Sequence, residues 1–194
     1  MILLASRSPQ RRALLASLGV PYRIVASSYG EDDLALPPVE TAREHALAKA
    51  RDVAARSGIP EGGAVLGADT VVILGGEALG KPAGPDDAAA MITALAGREH
   101  VVATGVALLT GTGEDVRDAQ TRVRFRPLQP AEVDWYVATG EWRDRAGGYA
   151  IQGAGAALVD GIDGDHANVI GLPVSLLARM LAQAGLAPWT PRRP

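Results

Sequence analysis

Asp69 is the residue least at home in its surroundings. It stands inside Ala64-Val-Leu-Gly-Ala-Asp-Thr-Val-Val-Ile-Leu74, an apolar run that otherwise reads as a central strand. Aspartate is depleted in strands, and a carboxylate buried without a cation or donors is costly. One reading is a turn or bulge capped by Asp69 after Gly67, since glycine in a strand often marks a bulge. The other is a carboxylate held rigidly as metal ligand or general base. Glu31-Asp32-Asp33, in an expected loop, is either a solvated acidic stretch or a source of the hard oxygen ligands that Mg²⁺ takes.

The cations are placed just as suggestively. On a helical wheel of Glu40 to Arg56, Ala42, Ala46, Ala50 and Val53 make the apolar face, and Lys49 falls at its edge. Such a lysine can simply snorkel over the core, or it can point into a site. Arg11 and Arg12 open the first helix, where cations are unfavourable unless an anion binds. Gly75-Gly-Glu-Ala-Leu-Gly80-Lys81 has phosphate-loop spacing, but Pro82 stands where the Mg²⁺-binding hydroxyl is needed. That reading is rejected in favour of a hairpin delivering Lys81. Gly147-Gly-Tyr-Ala-Ile-Gln-Gly-Ala-Gly155 is glycine-dense and carries one amide, Gln152. It is a plain loop or a segment whose backbone approaches a ligand. His45, His100 and His166 have no metal-site spacing. A few carboxylates with several basic residues suit a metal-bound polyphosphate, without fixing a reaction.

These groups need elements to hold them. Strands are expected at Ile2–Ala5, Tyr22–Ala26, Ala64–Leu74, Val101–Leu109, Val116–Phe125 and Ala157–Ile162. Helices are expected from Pro9 to Gly19 and from Glu40 to Arg56. Three more are expected at Pro85–Ala96, Pro130–Thr139 and Pro173–Ala184. Gly75-Gly76 and Thr110–Glu114 read as hairpin turns. Interleaved strands and helices broken by hairpins predict a mixed α/β sheet.

Composition narrows the class. At 194 residues and 47% apolar, the chain suits one globular domain with a large core. A net charge of −3 argues against a broad nucleic-acid surface. The absence of cysteine removes disulfides, thiolate nucleophiles and zinc–thiolate sites. Arg7, Arg11 and Arg12 cut short the apolar start, so no signal peptide is read. No run is long enough to span a membrane, and a cytoplasmic location is expected. Residues 187–194 read as a short tail.

Taken together, the segments resemble the Maf family of nucleotide pyrophosphatases. The resemblance is carried by Leu3-Leu-Ala-Ser-Arg-Ser-Pro-Gln-Arg-Arg-Ala-Leu-Leu15, Glu31 and Leu47-Ala-Lys49-Ala. It continues in Gly67-Ala-Asp69-Thr70-Val-Val, Gly80-Lys81-Pro82 and Thr104-Gly-Val, and closes with Gly148-Tyr-Ala-Ile-Gln152-Gly and Val169-Ile-Gly-Leu-Pro173. It departs at Gln10, where many members have arginine; Arg11 keeps the family position and Arg12 falls at a variable one.

The resemblance implies a single domain over residues 1–194. Its fold would be an elongated mixed sheet flanked by helices, with two lobes and a central cleft, related to inosine-triphosphate pyrophosphatases. It implies divalent-metal-dependent hydrolysis, with Mg²⁺ or Mn²⁺, of a nucleoside triphosphate to the monophosphate and pyrophosphate. Asp69 would be the proton acceptor or metal-linked carboxylate, with Glu31 as metal partner. Ser8, Arg11, Lys49 and Lys81 would surround the phosphates. Arg11, Thr70 and Gln152 would discriminate substrates, with Thr70 and Gln152 pointing to the dTTP/UTP-cleaving branch. A nucleotide house-cleaning role, a link to cell-division arrest and a homodimer are also implied. The competing readings are a purine (ITP/XTP) or 7-methyl-GTP pyrophosphatase and a non-catalytic nucleotide sensor in septum control.

Overall fold

The computed structural model of the protein describes residues 1–31 and 34–190. The apolar run holding Asp69 forms one uninterrupted strand, β3 (Ala64–Leu74); the turn or bulge reading is excluded. β3 pairs along almost its whole length with antiparallel β5 (Glu99–Thr110). β5 turns through Gly111-Thr112 into antiparallel β6 (Gly113–Phe125), which pairs with β7 (Val159–Asp163). The turn is tighter and the strands longer than the sequence suggests.

The other edge of β3 is shared. β1 (Ile2–Leu4) lies parallel to Ala64–Leu66 and to β2 (Tyr22–Ile24). β4 (Glu77–Leu79) folds back antiparallel on Val72–Leu74. The Gly75-Gly76 turn makes this possible, with φ of 61° and 94° at its two residues. Between β1 and β4, no strand among the described residues pairs with residues 67–71 on that edge. The sheet is mixed, as expected.

Among the described residues six helices cover the sheet: α1 (Pro9–Ser17), α2 (Pro38–Ser57), α3 (Pro85–Leu95), α4 (Pro130–Thr139), α5 (His166–Ile170) and α6 (Val174–Gln183). Short 3-10 turns at Ala146–Gly148 and Ala154–Leu158 precede β7. α5 is absent from the sequence reading, because five residues cannot display a helical period. The strand expected from Ala157 begins only at Val159 for the second of those turns.

The two-residue period of the strands sorts the core. Leu3, Val65, Ala107 and Leu109 pack beneath α2, against Ala46, Ala50 and Val53. Ile2, Leu4, Leu66, Ala68 and Val106 face the other way, onto Leu15, Leu177 and Met180 of α1 and α6. Farther along β3 on that second face, Val72 and Leu74 join Ile92, Leu95, Phe125 and Tyr136. α2 lies close on the sheet because Gly67 and Gly105 lack side chains. A β-carbon on either would run into the Ala46 or the Ala42 carbonyl oxygen.

Candidate active site

Strand alternation sends Asp69 toward α2 and Thr70 to the opposite face, yet both line one cavity of about 870 Å³. This is possible because the cavity opens at the strand edge, where β1 has ended and β4 has not begun. α2 brings Lys49 to the Asp69 side. Lys49 is 7% exposed, and its ammonium lies 2.6 Å from both Asp69 Oδ1 and Glu31 Oε1. Lys49 therefore is not a snorkelling surface lysine; it bridges two carboxylates. Burial raises the Glu31 pKa, but the Lys49 hydrogen bond and charge, with Lys81, outweigh it and leave a net lowering.

Glu31 is carried by a loop with its own anchor. Asp52 on α2 accepts hydrogen bonds from the Ser27 hydroxyl (2.9 Å), the Ser28 amide (2.9 Å) and the Ser28 hydroxyl (3.0 Å). Arg56, one turn on, donates to Asp52 and to the Ala26 carbonyl. These donors, Arg56 first, hold the Asp52 carboxyl far below its usual range. Asp32 and Asp33, the rest of the acidic cluster, lie outside the described residues.

The Thr70 side is built by α1. Ser8 caps that helix, its hydroxyl accepting from the Arg11 amide at 3.3 Å, and Pro9 follows at the first helical position. Arg11 then donates Nε to the Gly171 carbonyl (2.8 Å) and Nη2 to the Thr70 hydroxyl (3.0 Å). Thr70 shares a hydrogen bond with Thr104 (2.9 Å), which donates to the Asn168 carbonyl (3.1 Å). Burial lowers the Arg11 pKa, although Asp69 and Glu31 oppose the shift. Arg12 is exposed and does not line the cavity.

Lys81 and the glycine-dense segment form the remaining wall. The Gly147 amide donates to the Gly80 carbonyl at 3.0 Å, tying the segment to the end of β4. Tyr149 is buried against His100, its hydroxyl 2.8 Å from Nε2, and Tyr136 accepts from the Ala150 amide at 3.0 Å. Burial pushes the Tyr149 phenol up, and takes Tyr136 to about 12. Gln152 is exposed at the cavity.

His100 yields a stability prediction. Burial lowers its pKa from 6.5 to about 4. An unfolded chain gains that proton as pH falls through 6.5, while the folded chain resists to about 4. Stability is therefore intact at pH 7 and falls by about 2 to 3 kcal/mol across that window. Urea unfolding at pH 7 and pH 4.5 should show a shallower loss in His100→Phe than in wild type. Equal losses would mean that this histidine does not couple folding to pH.

Every site residue expected from the sequence (Ser8, Arg11, Glu31, Lys49, Asp69, Thr70, Lys81 and Gln152) lines this one cavity. Sequence reasoning missed Ser6, Arg7, Ser27, Ser28, Tyr29, Arg143 and Arg145, which line it too. Their residue types are common in loops, and only Ser6 and Arg7 fall inside a motif already singled out. Among the described residues no group of three or more His, Cys, Asp or Glu converges. The paired carboxylates of Glu31 and Asp69 suit a hard cation that completes its shell with water and phosphate, as Mg²⁺ does.

The chain is 49% identical over 191 residues to a dTTP/UTP pyrophosphatase of Moorella thermoacetica, covering 97% of each. It is 46% identical over 185 residues to a dTTP/UTP pyrophosphatase of Symbiobacterium thermophilum, covering 95% of this chain and 94% of that one. Among solved structures, a HAM1 protein from Coxiella burnetii superposes with a TM-score of 0.53 at 16% identity, over 94% of this chain and 98% of the other. That likeness shows the fold. The family described as Maf-like protein matches residues 1–184. Matched from its first residue through the end of α6, the chain belongs to the Maf-like protein family.

Proposed function

We propose that this protein hydrolyses dTTP and UTP to the nucleoside monophosphate and pyrophosphate. The observation that carries the reading is the placement of Lys49 between Asp69 and Glu31, in one cavity with Lys81 and Arg11. A triphosphate repels an attacking oxygen, and a site that cleaves it must supply positive charge and accept a proton. Asp69 Oδ1 is engaged by Lys49. Oδ2 then takes the proton from a water attacking the α-phosphorus, and the bridging oxygen leaves with pyrophosphate. Asp69 and Glu31 would hold a divalent cation, Mg²⁺ or Mn²⁺, which neutralises triphosphate charge when bound. Lys49, Lys81 and Arg11 share that task through their charge, Arg11 with Nε and Nη2 already held by Gly171 and Thr70. Ser8 fixes the start of α1 and so the position of Arg11.

Substrate choice follows from Thr70, Arg11 and Gln152. Arg11 and Thr70 are locked to each other and to Gly171 and Thr104. Gln152 presents both a donor and an acceptor, which suits the edge of a pyrimidine. The relatives named dTTP/UTP pyrophosphatase support the same choice. We further propose that the chain acts as one domain of two lobes about this cleft, as a homodimer in the cytoplasm, on free nucleotides and not on polymeric nucleic acid. No helix of the described residues is long and apolar enough to cross a membrane.

The test is pyrophosphate release from dTTP, UTP, CTP, 7-methyl-GTP and ITP with Mg²⁺ or Mn²⁺. Release from dTTP and UTP at least tenfold faster than from the others is expected. Preference for ITP or 7-methyl-GTP would overturn the pyrimidine assignment. Release of orthophosphate would overturn the cleavage site, and no release at all would favour a nucleotide-sensing role.

A further inference from the structure

Arg145 differs from the other cations of the cavity. Lys49 is satisfied by two carboxylates, and Arg11 by Gly171 and Thr70. Arg145 is half-buried on the cavity wall, and its Nε is buried with no hydrogen-bond partner among the described residues. No carboxylate among the described residues pairs with it. A guanidinium on a cavity wall with no opposite charge beside it is costly to keep there, and an anion in the cavity would supply that charge.

The backbone holds Arg145 in place at some cost. Asp144, the residue before it, has φ of 59°, a conformation that side chains rarely adopt. The Arg145 amide donates to the Trp142 carbonyl (3.2 Å), and the Gly148 amide to the Arg145 carbonyl (3.1 Å). Gly147 has φ of 67°, and Val72 leaves no room there for a β-carbon. Its amide bonds to the Gly80 carbonyl, the residue before Lys81. Two cations are thereby joined through a backbone hydrogen bond at one end of the cavity. Lys81 also lies close enough to Glu31 to lower its pKa, so this end borders the carboxylates.

We propose that Arg145 binds the phosphates that leave as pyrophosphate, gripping them in its planar fork beside Lys81. The assignment rests on the pyrophosphatase reading above. A diphosphate offers several oxygens to a guanidinium, and bidentate pairing of this kind is among the stronger hydrogen-bond arrangements.

Calorimetric binding of the two products separately tests this. Arg145→Met should weaken binding of pyrophosphate with Mg²⁺ by roughly 10- to 100-fold, as loss of a charged hydrogen bond does, and leave dTMP binding within about twofold. Arg145→Lys, which keeps charge and loses the fork, should fall between Arg145→Met and wild type. Pyrophosphate binding unchanged in Arg145→Met would overturn the proposal, and so would an equal loss for dTMP. Thermal melting identifies a variant that has not folded; Arg145→Lys then carries the test alone, with unchanged pyrophosphate binding again overturning it. A wild-type protein that binds pyrophosphate but cleaves no nucleotide would sink the function proposed above, while the contrast between variants would still judge Arg145.

Discussion

Asp69→Asn should lower kcat for dTTP by roughly 10³-fold or more, the range expected when a positioned proton acceptor is removed. Asparagine keeps the shape of the side chain and can still accept a hydrogen bond from Lys49 through its carbonyl oxygen. It cannot take a proton at neutral pH, and it is a poorer ligand for a hard cation. The fold should survive, because Glu31 remains to pair with Lys49. Steady-state kinetics should therefore show the loss in kcat, with KM changed by less than about tenfold. A variant retaining a tenth of wild-type kcat would mean that the chemistry is done elsewhere and that Asp69 only shapes the cleft.

The second large effect should come from Gly67→Ala, which adds one uncharged methyl group. Gly67 needs no special backbone conformation; its constraint is space. The added carbon would meet the Ala46 carbonyl oxygen, and the Ala50 amide nitrogen lies 3.0 Å away. Both belong to the backbone of α2, so no side-chain rotation relieves the clash. The helix must lift from the sheet, at a cost of about 3 kcal/mol, the upper end for overpacking. Gly75→Ala is the comparison, because its β-carbon would meet nothing within 4 Å and only the φ of 61° is strained. There the loss should be about 1 to 2 kcal/mol. Urea midpoints for the two variants decide the matter, and equal losses would contradict close packing of α2. Because α2 carries Lys49 and β3 carries Asp69, Gly67→Ala should also loosen their 2.6 Å pairing and reduce activity in protein that still folds.

Much of the fold was readable because its signals are local. Glycine or proline punctuates nearly every element, and β3 announces itself as an apolar run. Asp69 stood out because it violates that run, and Lys49 because it sits at the edge of an alanine-rich helix face. Which of the two readings applied to Lys49 was not legible. The answer depends on Asp69, distant in sequence and brought alongside by packing of α2 on β3. The missing parts have the same character. Ser27 and Ser28 matter through Asp52, and Tyr149 through His100. Arg145 was invisible because its significance is that no carboxylate among the described residues pairs with it, which sequence does not display. Arg12 shows the converse: residue type alone did not separate it from Arg11, the family pattern favoured Arg11, and the helix turns Arg12 to solvent.

An open strand edge is ordinarily a hazard, because another chain can add to it and start an aggregate. β3 leaves such an opening in mid-strand, between the ends of β1 and β4. An intruding strand would there meet Asp69, Lys49 and Glu31, and would have to strip water from charges it cannot satisfy. The cleft thus repels polypeptide by the same means that let it admit a small, hydrated, highly charged guest. Solubility and catalysis are in this way answerable to one set of side chains.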